Sequence, residues 1–168
     1  SAFPRLPPGA PDAYHTPSTV MNETKDELQQ EIEIRKGLDG LTATRIATLY
    51  RRAPLIRPVD DLDRLWEMFE NSSLVISAWH NGRLVGIARV LTDRSLYSYL
   101  CDLAVEPDVQ RLGIGKSLIG EVLEECKNTD LVLRDSDISS RFYEKLGFEH
   151  VDNAWVWTRS RSADRIVE

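Results

Sequence analysis

Two glycines one residue apart, Gly113 and Gly115, stand in the stretch QRLGIGKS, Gln110 to Ser117, with Arg111 and Lys116 beside them. These residue types suit an anion. Glycine lets a backbone approach a ligand closely, and a helix that starts here offers its first N–H groups and the positive end of its dipole. The tail Gly115-Lys116-Ser117 fits the end of the phosphate-binding pattern G-x-x-x-x-G-K-[ST], but Gln110 stands where the first glycine belongs. The dinucleotide pattern G-x-G-x-x-G fails too, because Leu118 occupies its third glycine position. The spacing therefore predicts a pyrophosphate-type ligand on a loop shorter than that of an ATPase. Nothing nearby reads as a magnesium-holding carboxylate, and no metal is expected.

Such a loop needs a strand before it and a helix after it. The run LYSYLCDLAV is apolar enough to be a central strand, and the link EPDVQRL leads from it to Gly113. Beyond the loop, Ile114, Leu118, Val122 and Cys126 share one helical face, with Ile119 and Leu123 beside them. Upstream, Glu31 to Arg35 alternate as a half-buried strand would, and Ile46, Leu49, Tyr50 and Ala53 recur at helical spacing before Pro54. A second apolar stripe, Val59, Leu62, Leu65, Trp66 and Phe69, is expected to begin behind Pro58, with Asp60 and Asp61 at the positive end of its dipole. Two strand-like runs flank Asn81-Gly82, a strong hairpin signal. DLVLRD reads as a strand, SSRFYEKL as a short helix stopped by Gly147, and FEHV with AWVWTRS as a closing strand pair. The order β-α-α-β-β-β-α-β-α-β-β describes an α/β protein of mixed α+β type, with six to seven strands in one sheet and about four helices.

At 168 residues the chain suits one domain with a real core. Residues 1–20 hold five of the eight prolines without apolar periodicity and read as a flexible or expression-derived tail; Met21 is a candidate native start. Residues 21–168 form the expected single domain. A net charge of -6 argues against a nucleic-acid surface and is compatible with a cationic substrate. No run approaches the length of a membrane span, and no secretory signal is evident. Cys101 and Cys126 lie in apolar segments without metal-ligand spacing, as expected of buried thiols in a reducing cytoplasm. His15, His80 and His150 carry no catalytic expectation; Trp79, Trp155 and Trp157 are read as core or substrate wall.

Gln110-Arg111-Leu112-Gly113-Ile114-Gly115 resembles the Q/R-x-x-G-x-G/A signature of the GNAT N-acetyltransferase superfamily, and it follows a strand ending LAVEP as that signature does. Phe142-Tyr143-Glu144-Lys145-Leu146-Gly147-Phe148 is similar to the family's second common segment, in the right order and at the right distance. The element order from Glu31 to about Arg159 fits as well. The resemblance implies acetyl-CoA as co-substrate, its pyrophosphate on the N–H groups from Arg111 to Lys116, with Gln110 and Ser117 at the margins. It implies that the backbone of Leu103, Ala104 and Val105 pairs with the pantetheine arm as a further strand would. Simple core packing of Leu103 and Val105 is compatible with that.

The same resemblance makes Tyr143 the expected acid for the departing thiolate, a task that a phenol of pKa ~10 can perform at neutral pH. Packing of its ring against the sheet is the bland alternative. Asp102 is the one carboxylate on the matching strand and the candidate base, or else a structural or substrate-orienting group. Strand alternation sets it opposite Tyr99 and Cys101, the positions where some relatives place their base, unless a bulge intervenes. Ser136 stands where several relatives have an asparagine that contacts the coenzyme. Tyr97 and Tyr99 offer aromatic faces to an amine, with Asp102 beside them and Asp93 at the end of the preceding strand.

These expectations describe a cytoplasmic N-acetyltransferase acting on a small cationic or arylalkyl amine, with no nucleic acid and no membrane partner. Homodimerisation is left open. Two rivals stand beside it. One is an enzyme for protein lysine or N-terminal amines, which would show an open groove around Tyr97 and Tyr99. The other is an acyl-CoA-binding sensor without turnover.

Overall fold

The computed structural model describes residues 31–53, 55–135 and 140–157. Its clearest local determinant is Asn81-Gly82. Asn81 has φ 49° and Gly82 φ 73°, both left-handed as a tight hairpin turn requires. The turn joins β2 (Leu74–His80) to β3 (Arg83–Thr92), antiparallel strands whose runs of buried residues make them the middle of the sheet. β1 (Ile32–Lys36) flanks β2, and β4 (Tyr97–Val105) flanks β3, both antiparallel; β5 (Asp130–Leu133) lies parallel to β4. The order is β1-β2-β3-β4-β5.

α1 (Ala43–Arg52) and α2 (Leu62–Glu70) cover one face of the sheet. Ile46, Leu49 and Tyr50 from α1, with Leu65 and Phe69 from α2, pack against Val75, Trp79, Ile87 and Ala104. α2 begins at Leu62 rather than behind Pro58. Asp61 is its cap: its side chain accepts the Arg64 N–H at 3.1 Å, a bond that requires the non-helical backbone it has. α3 (Ile114–Glu125) buries Ile114, Leu118, Ile119 and Val122 as the spacing predicts, whereas Leu123 stays exposed. It packs close to the sheet because Gly86 has no side chain. A Cβ there would stand 3.1 Å from Ile114 Cγ2 and 3.1 Å from Leu118 Cδ1.

The chain divides into two compact units after Arg134. In the second, α4 (Ser140–Lys145) is followed by Gly147 at φ 88°, the left-handed stop the sequence predicts. The mixed α/β class is as expected, but the sheet has five strands among the described residues. Phe148–Val151 and Ala154–Trp157 do not form the closing pair there. Alternation alone does not make a strand; it needs a ladder partner. Trp155 and Trp157 are 99% and 96% exposed, while Trp79 is core. No helix among the described residues is long and apolar enough to cross a membrane.

Candidate active site

β4 carries two faces and two edges, and each has a distinct task. Ser98, Leu100, Asp102 and Ala104 are buried, while Tyr97, Tyr99, Cys101, Leu103 and Val105 are exposed or half-buried. Asp102 thus faces α1 and α2, opposite Tyr99 and Cys101. The register with β3 does shift, between Arg89 and Val90, leaving Cys101 without a cross-strand partner. That bulge does not turn Asp102 to the other face.

The surroundings of Asp102 are those of a buried ion pair, the structural alternative to its expected role as base. Its carboxylate is fully buried. Oδ1 accepts Arg57 Nε at 2.6 Å; Oδ2 accepts Arg89 Nε at 2.5 Å and the Tyr50 hydroxyl at 3.0 Å. Burial, and then the Asp102 charge, push the Tyr50 phenol well above its usual range, so it donates and stays neutral. Asp102 is therefore an ion-pair hub that joins α1, the α1–α2 loop, β3 and β4. Nor does it stand beside Tyr97 and Tyr99 to orient a substrate, because it occupies the opposite face. Glu106, just past the strand, repeats the device. Its buried carboxylate pairs with Arg52 at 2.8 Å, and Arg83 Nη1 lies 2.5 Å from Oε2 without hydrogen-bond alignment. Sequence periodicity gives no sign of Arg57 or Arg52. Arg89 is marked by its place in the apolar run LVGIARVL, where a buried charge demands a partner.

The edges of β4 differ in length. Pairing with β3 continues to Val105↔Gly86, but pairing with β5 ends at Leu100↔Leu133. The Glu106 N–H donates to the Val85 carbonyl at 2.8 Å, so across that trans peptide the Val105 carbonyl points away from β3. The ladder alternates through Ala104↔Ile87 and Asp102↔Arg89. Ala104 therefore spends its backbone groups on β3, whereas Leu103 and Val105 turn theirs to the side where β5 has ended. There the Val105 carbonyl accepts Gln110 Nε2 at 2.9 Å. The Leu103 N–H and carbonyl and the Val105 N–H have no ladder partner among the described residues.

Past β4, a short 3-10 turn (Pro107–Val109) leads into the glycine loop. Arg111 has φ 72° and Gly113 φ 79°, while Leu112 between them is not left-handed. Alternating backbone handedness of this kind favours a concave, anion-binding nest, although the Leu112 N–H donates to the Val109 carbonyl at 3.4 Å. Gly113 caps α3 without a side chain, so no cap takes the first-turn N–H groups of Ile114, Gly115 and Lys116. The Ser117 N–H is already bound to the Gly113 carbonyl at 2.9 Å, which places it inside the helix rather than on a ligand. Arg111 and Lys116 are exposed beside the nest, and the Ile114 side chain is core. These groups fit a pyrophosphate that continues into an amide-bearing arm.

An open cleft of about 550 Å³ lies where Tyr97 and Tyr99 meet Leu91, Thr92, Asp93 and Val132. Asp93 Oδ1 accepts the N–H groups of Ser95 and Leu96 at 2.8 Å and of Tyr97 at 3.1 Å. Those bonds hold its carboxyl below the usual range, so it is ionised at neutral pH. Burial raises the Cys101 thiol, which is thereby a poor nucleophile. In the second unit, burial and then the charge of Asp135 push the Tyr143 phenol up to about 12. Its ring meets Phe142 and Phe148 edge-on, with centroids 5.2 and 5.6 Å away. Ser136 lies outside the described residues.

Residues 56–157 match the family model described as an acetyltransferase (GNAT) domain. A protein of Pyropia yezoensis, "Uncharacterized N-acetyltransferase ycf52", is 33% identical over 87 residues, 47% of this chain and 49% of that protein. The chain spans about half the length of the curated relatives it matches. A crystal structure from Deinococcus radiodurans R1, described as an acetyltransferase, superposes with TM-score 0.67 at 25% identity, over 78% of this chain and 90% of that one. An aminoglycoside N-acetyltransferase solved in complex with CoA shares the fold, with TM-score 0.59 at 20% identity over 77% and 95% of the two chains. With more than half of the chain inside the family's own domain and its signature loop at the end of a splayed strand, the chain belongs to the GNAT acetyltransferase family.

Proposed function

We propose that the protein is an acetyl-CoA-dependent N-acetyltransferase that acylates a primary amine by direct attack on the thioester. The observation that carries this is the continuity of two features: a donor–acceptor edge without a ladder partner at Leu103 and Val105, and a glycine loop whose N–H groups at Ile114, Gly115 and Lys116 are left uncapped. Together they match a ligand with an amide-bearing arm at one end and a pyrophosphate at the other. The Leu103 N–H polarises the thioester carbonyl. Tyr143, given the acid role by the family's second segment, protonates the departing sulfur; with its phenol raised to about 12 it carries its proton throughout the neutral range. With both oxygens of Asp102 engaged, the proton of the attacking amine leaves through water.

The acceptor we propose is a small cationic or arylalkyl amine. Tyr97 and Tyr99 present ring faces to it, and Asp93 supplies the ionised carboxylate once expected of Asp102. One observation favours a second reading, an amine on a polypeptide: the cleft is open to solvent, and an open groove admits a chain. Release of thiol from acetyl-CoA, measured across polyamines, arylalkylamines, amino acids and lysine peptides, decides between them. Spermidine- or tryptamine-like amines outperform glutamate and aspartate if the first reading is right. Activity confined to peptides supports the second. Tight acetyl-CoA binding with a flat response to every amine would leave only the sensor.

A further inference from the structure

Three carbonyls follow one another along the side of β4 that β5 leaves open: Cys101, Leu103 and Val105. The two outer ones are already capped by side chains. Gln110 Nε2 reaches the Val105 oxygen at 2.9 Å, and Arg57 Nη2 reaches the Cys101 oxygen at 2.9 Å. Between the caps the edge offers one donor, one acceptor and one donor: the Leu103 N–H, the Leu103 carbonyl and the Val105 N–H. An uncapped strand edge pairs with any extended partner in any register. This one is reduced to a single short pattern.

The cap at Cys101 coincides with two other features. It sits on the residue without a cross-strand partner in β3, and it takes the first such carbonyl past the last β4–β5 pair, Leu100↔Leu133. A bulge bends its strand, so β4 turns from β5 here. Arg57 is itself held in place. Its Nε bonds Asp102 Oδ1 at 2.6 Å and its Nη1 the Ile56 carbonyl at 2.6 Å, while Arg89 and Tyr50 fix Asp102 from the other side. The planar guanidinium serves a carboxylate and a carbonyl at once, which the point charge of lysine does not.

We propose that Arg57 is a positioning residue that stops the β4–β5 ladder at Leu100 and thereby sets where along β4 the thioester-bearing arm docks. The first half of this stands on the strand geometry alone. The second rests on the acetyl-CoA reading given above.

The test uses Arg57→Ala and Arg57→Lys in the full chain. Amide hydrogen exchange is followed first without ligand. In both variants the freed Cys101 carbonyl lets the parallel ladder extend, and exchange of the Leu103 amide slows by about fivefold or more. With acetyl-CoA, kcat falls about tenfold or more because the thioester is misplaced, while the dissociation constant stays within about threefold because the nest is intact. Arg57→Lys keeps a charge against Asp102 and restores most of the melting temperature that Arg57→Ala loses. It restores neither the exchange rate nor kcat. If lysine restores all of them, or if Leu103 exchanges at the native rate in both variants, Arg57 is a structural ion-pair partner and the proposal is wrong. Ligand-free exchange decides this even for a chain that turns over no acetyl-CoA, so that outcome would count against the proposed function and not against Arg57.

Discussion

Arg89 Nε lies 2.5 Å from Asp102 Oδ2, and the pair joins β3 to β4 where their register shifts. Asp102→Asn leaves this guanidinium, nine-tenths buried, without its counter-charge, and weakens the hold on Arg57 as well. Breaking one partner of a buried pair costs about 3–5 kcal/mol, so a large drop in the denaturation midpoint is expected. The pH dependence of kcat/KM in the folded fraction should keep its shape, because both Asp102 oxygens are engaged by Arg57, Arg89 and Tyr50. Denaturant unfolding and pH–rate profiles on one preparation check both halves. A lost or shifted ionisation would restore Asp102 as the base.

Gly115→Val puts a branched side chain into the first turn of α3, where N–H groups are left for a ligand. Each charge-assisted hydrogen bond lost to a pyrophosphate is worth about 1.5–3 kcal/mol, so acetyl-CoA affinity should fall tenfold or more. Calorimetric titration of the folded variant measures it. Native affinity would make the loop a plain turn.

Tyr143→Phe keeps the ring that meets Phe142 and Phe148 and removes only the hydroxyl. The fold should survive, the acetyl-CoA dissociation constant should hold, and kcat should fall by about 10²–10⁴-fold, the range of general acids. In the native enzyme kcat/KM should rise with pH through one ionisation as the proposed amine acceptor loses its proton. Because Tyr143 is pushed to about 12, that rise shows no fall due to this phenol below about pH 11. An unchanged kcat would remove Tyr143 from the chemistry.

Two phenols also tie stability to alkaline pH. Tyr50 is raised well above its usual range, chiefly by burial, and Tyr143 is raised to about 12, again chiefly by burial. Unfolded tyrosine titrates near 10, so the folded chain holds both protons more tightly than the unfolded one. The stability they contribute is fully present below about pH 10 and is lost as pH rises through the folded values. Urea midpoints should be level from neutral pH to about 9.5 and fall steeply above 10. A midpoint unmoved at pH 11.5 would contradict these environments.

What the sequence made legible was local. Asn81-Gly82 needs only its own backbone to declare a hairpin, and Gly113 with the spacing Ile114, Leu118, Val122 declares a capped, one-faced helix. The alternation of β4 likewise set Asp102 apart from Tyr99 and Cys101 without any tertiary knowledge. The meaning of that separation was not legible, because Arg57 and Tyr50 lie 45 and 52 residues from Asp102 and meet it only when α1 docks on the sheet. The start of α2 moved because a capping bond at Asp61 outweighs the preference of Pro58 for a first turn. Trp155 and Trp157 alternate as strand residues should, yet pairing is decided by a neighbour and not by the pattern. Asp93 became the acidic group of the cleft through three backbone N–H bonds that no motif announces.

The central claim is that the β4 edge and the glycine loop bind one ligand together, and backbone amide resonances report on it directly. In a titration of the labelled protein with acetyl-CoA, the amides of Leu103, Val105, Gly115 and Lys116 should shift along one binding curve. Their exchange with solvent should slow together, while the amides of β1 remain unmoved. Saturation of the protein with acetyl-CoA while Leu103 and Val105 keep their free positions and exchange rates would contradict the account. It would mean that the open edge of β4 is not where the coenzyme arm lies.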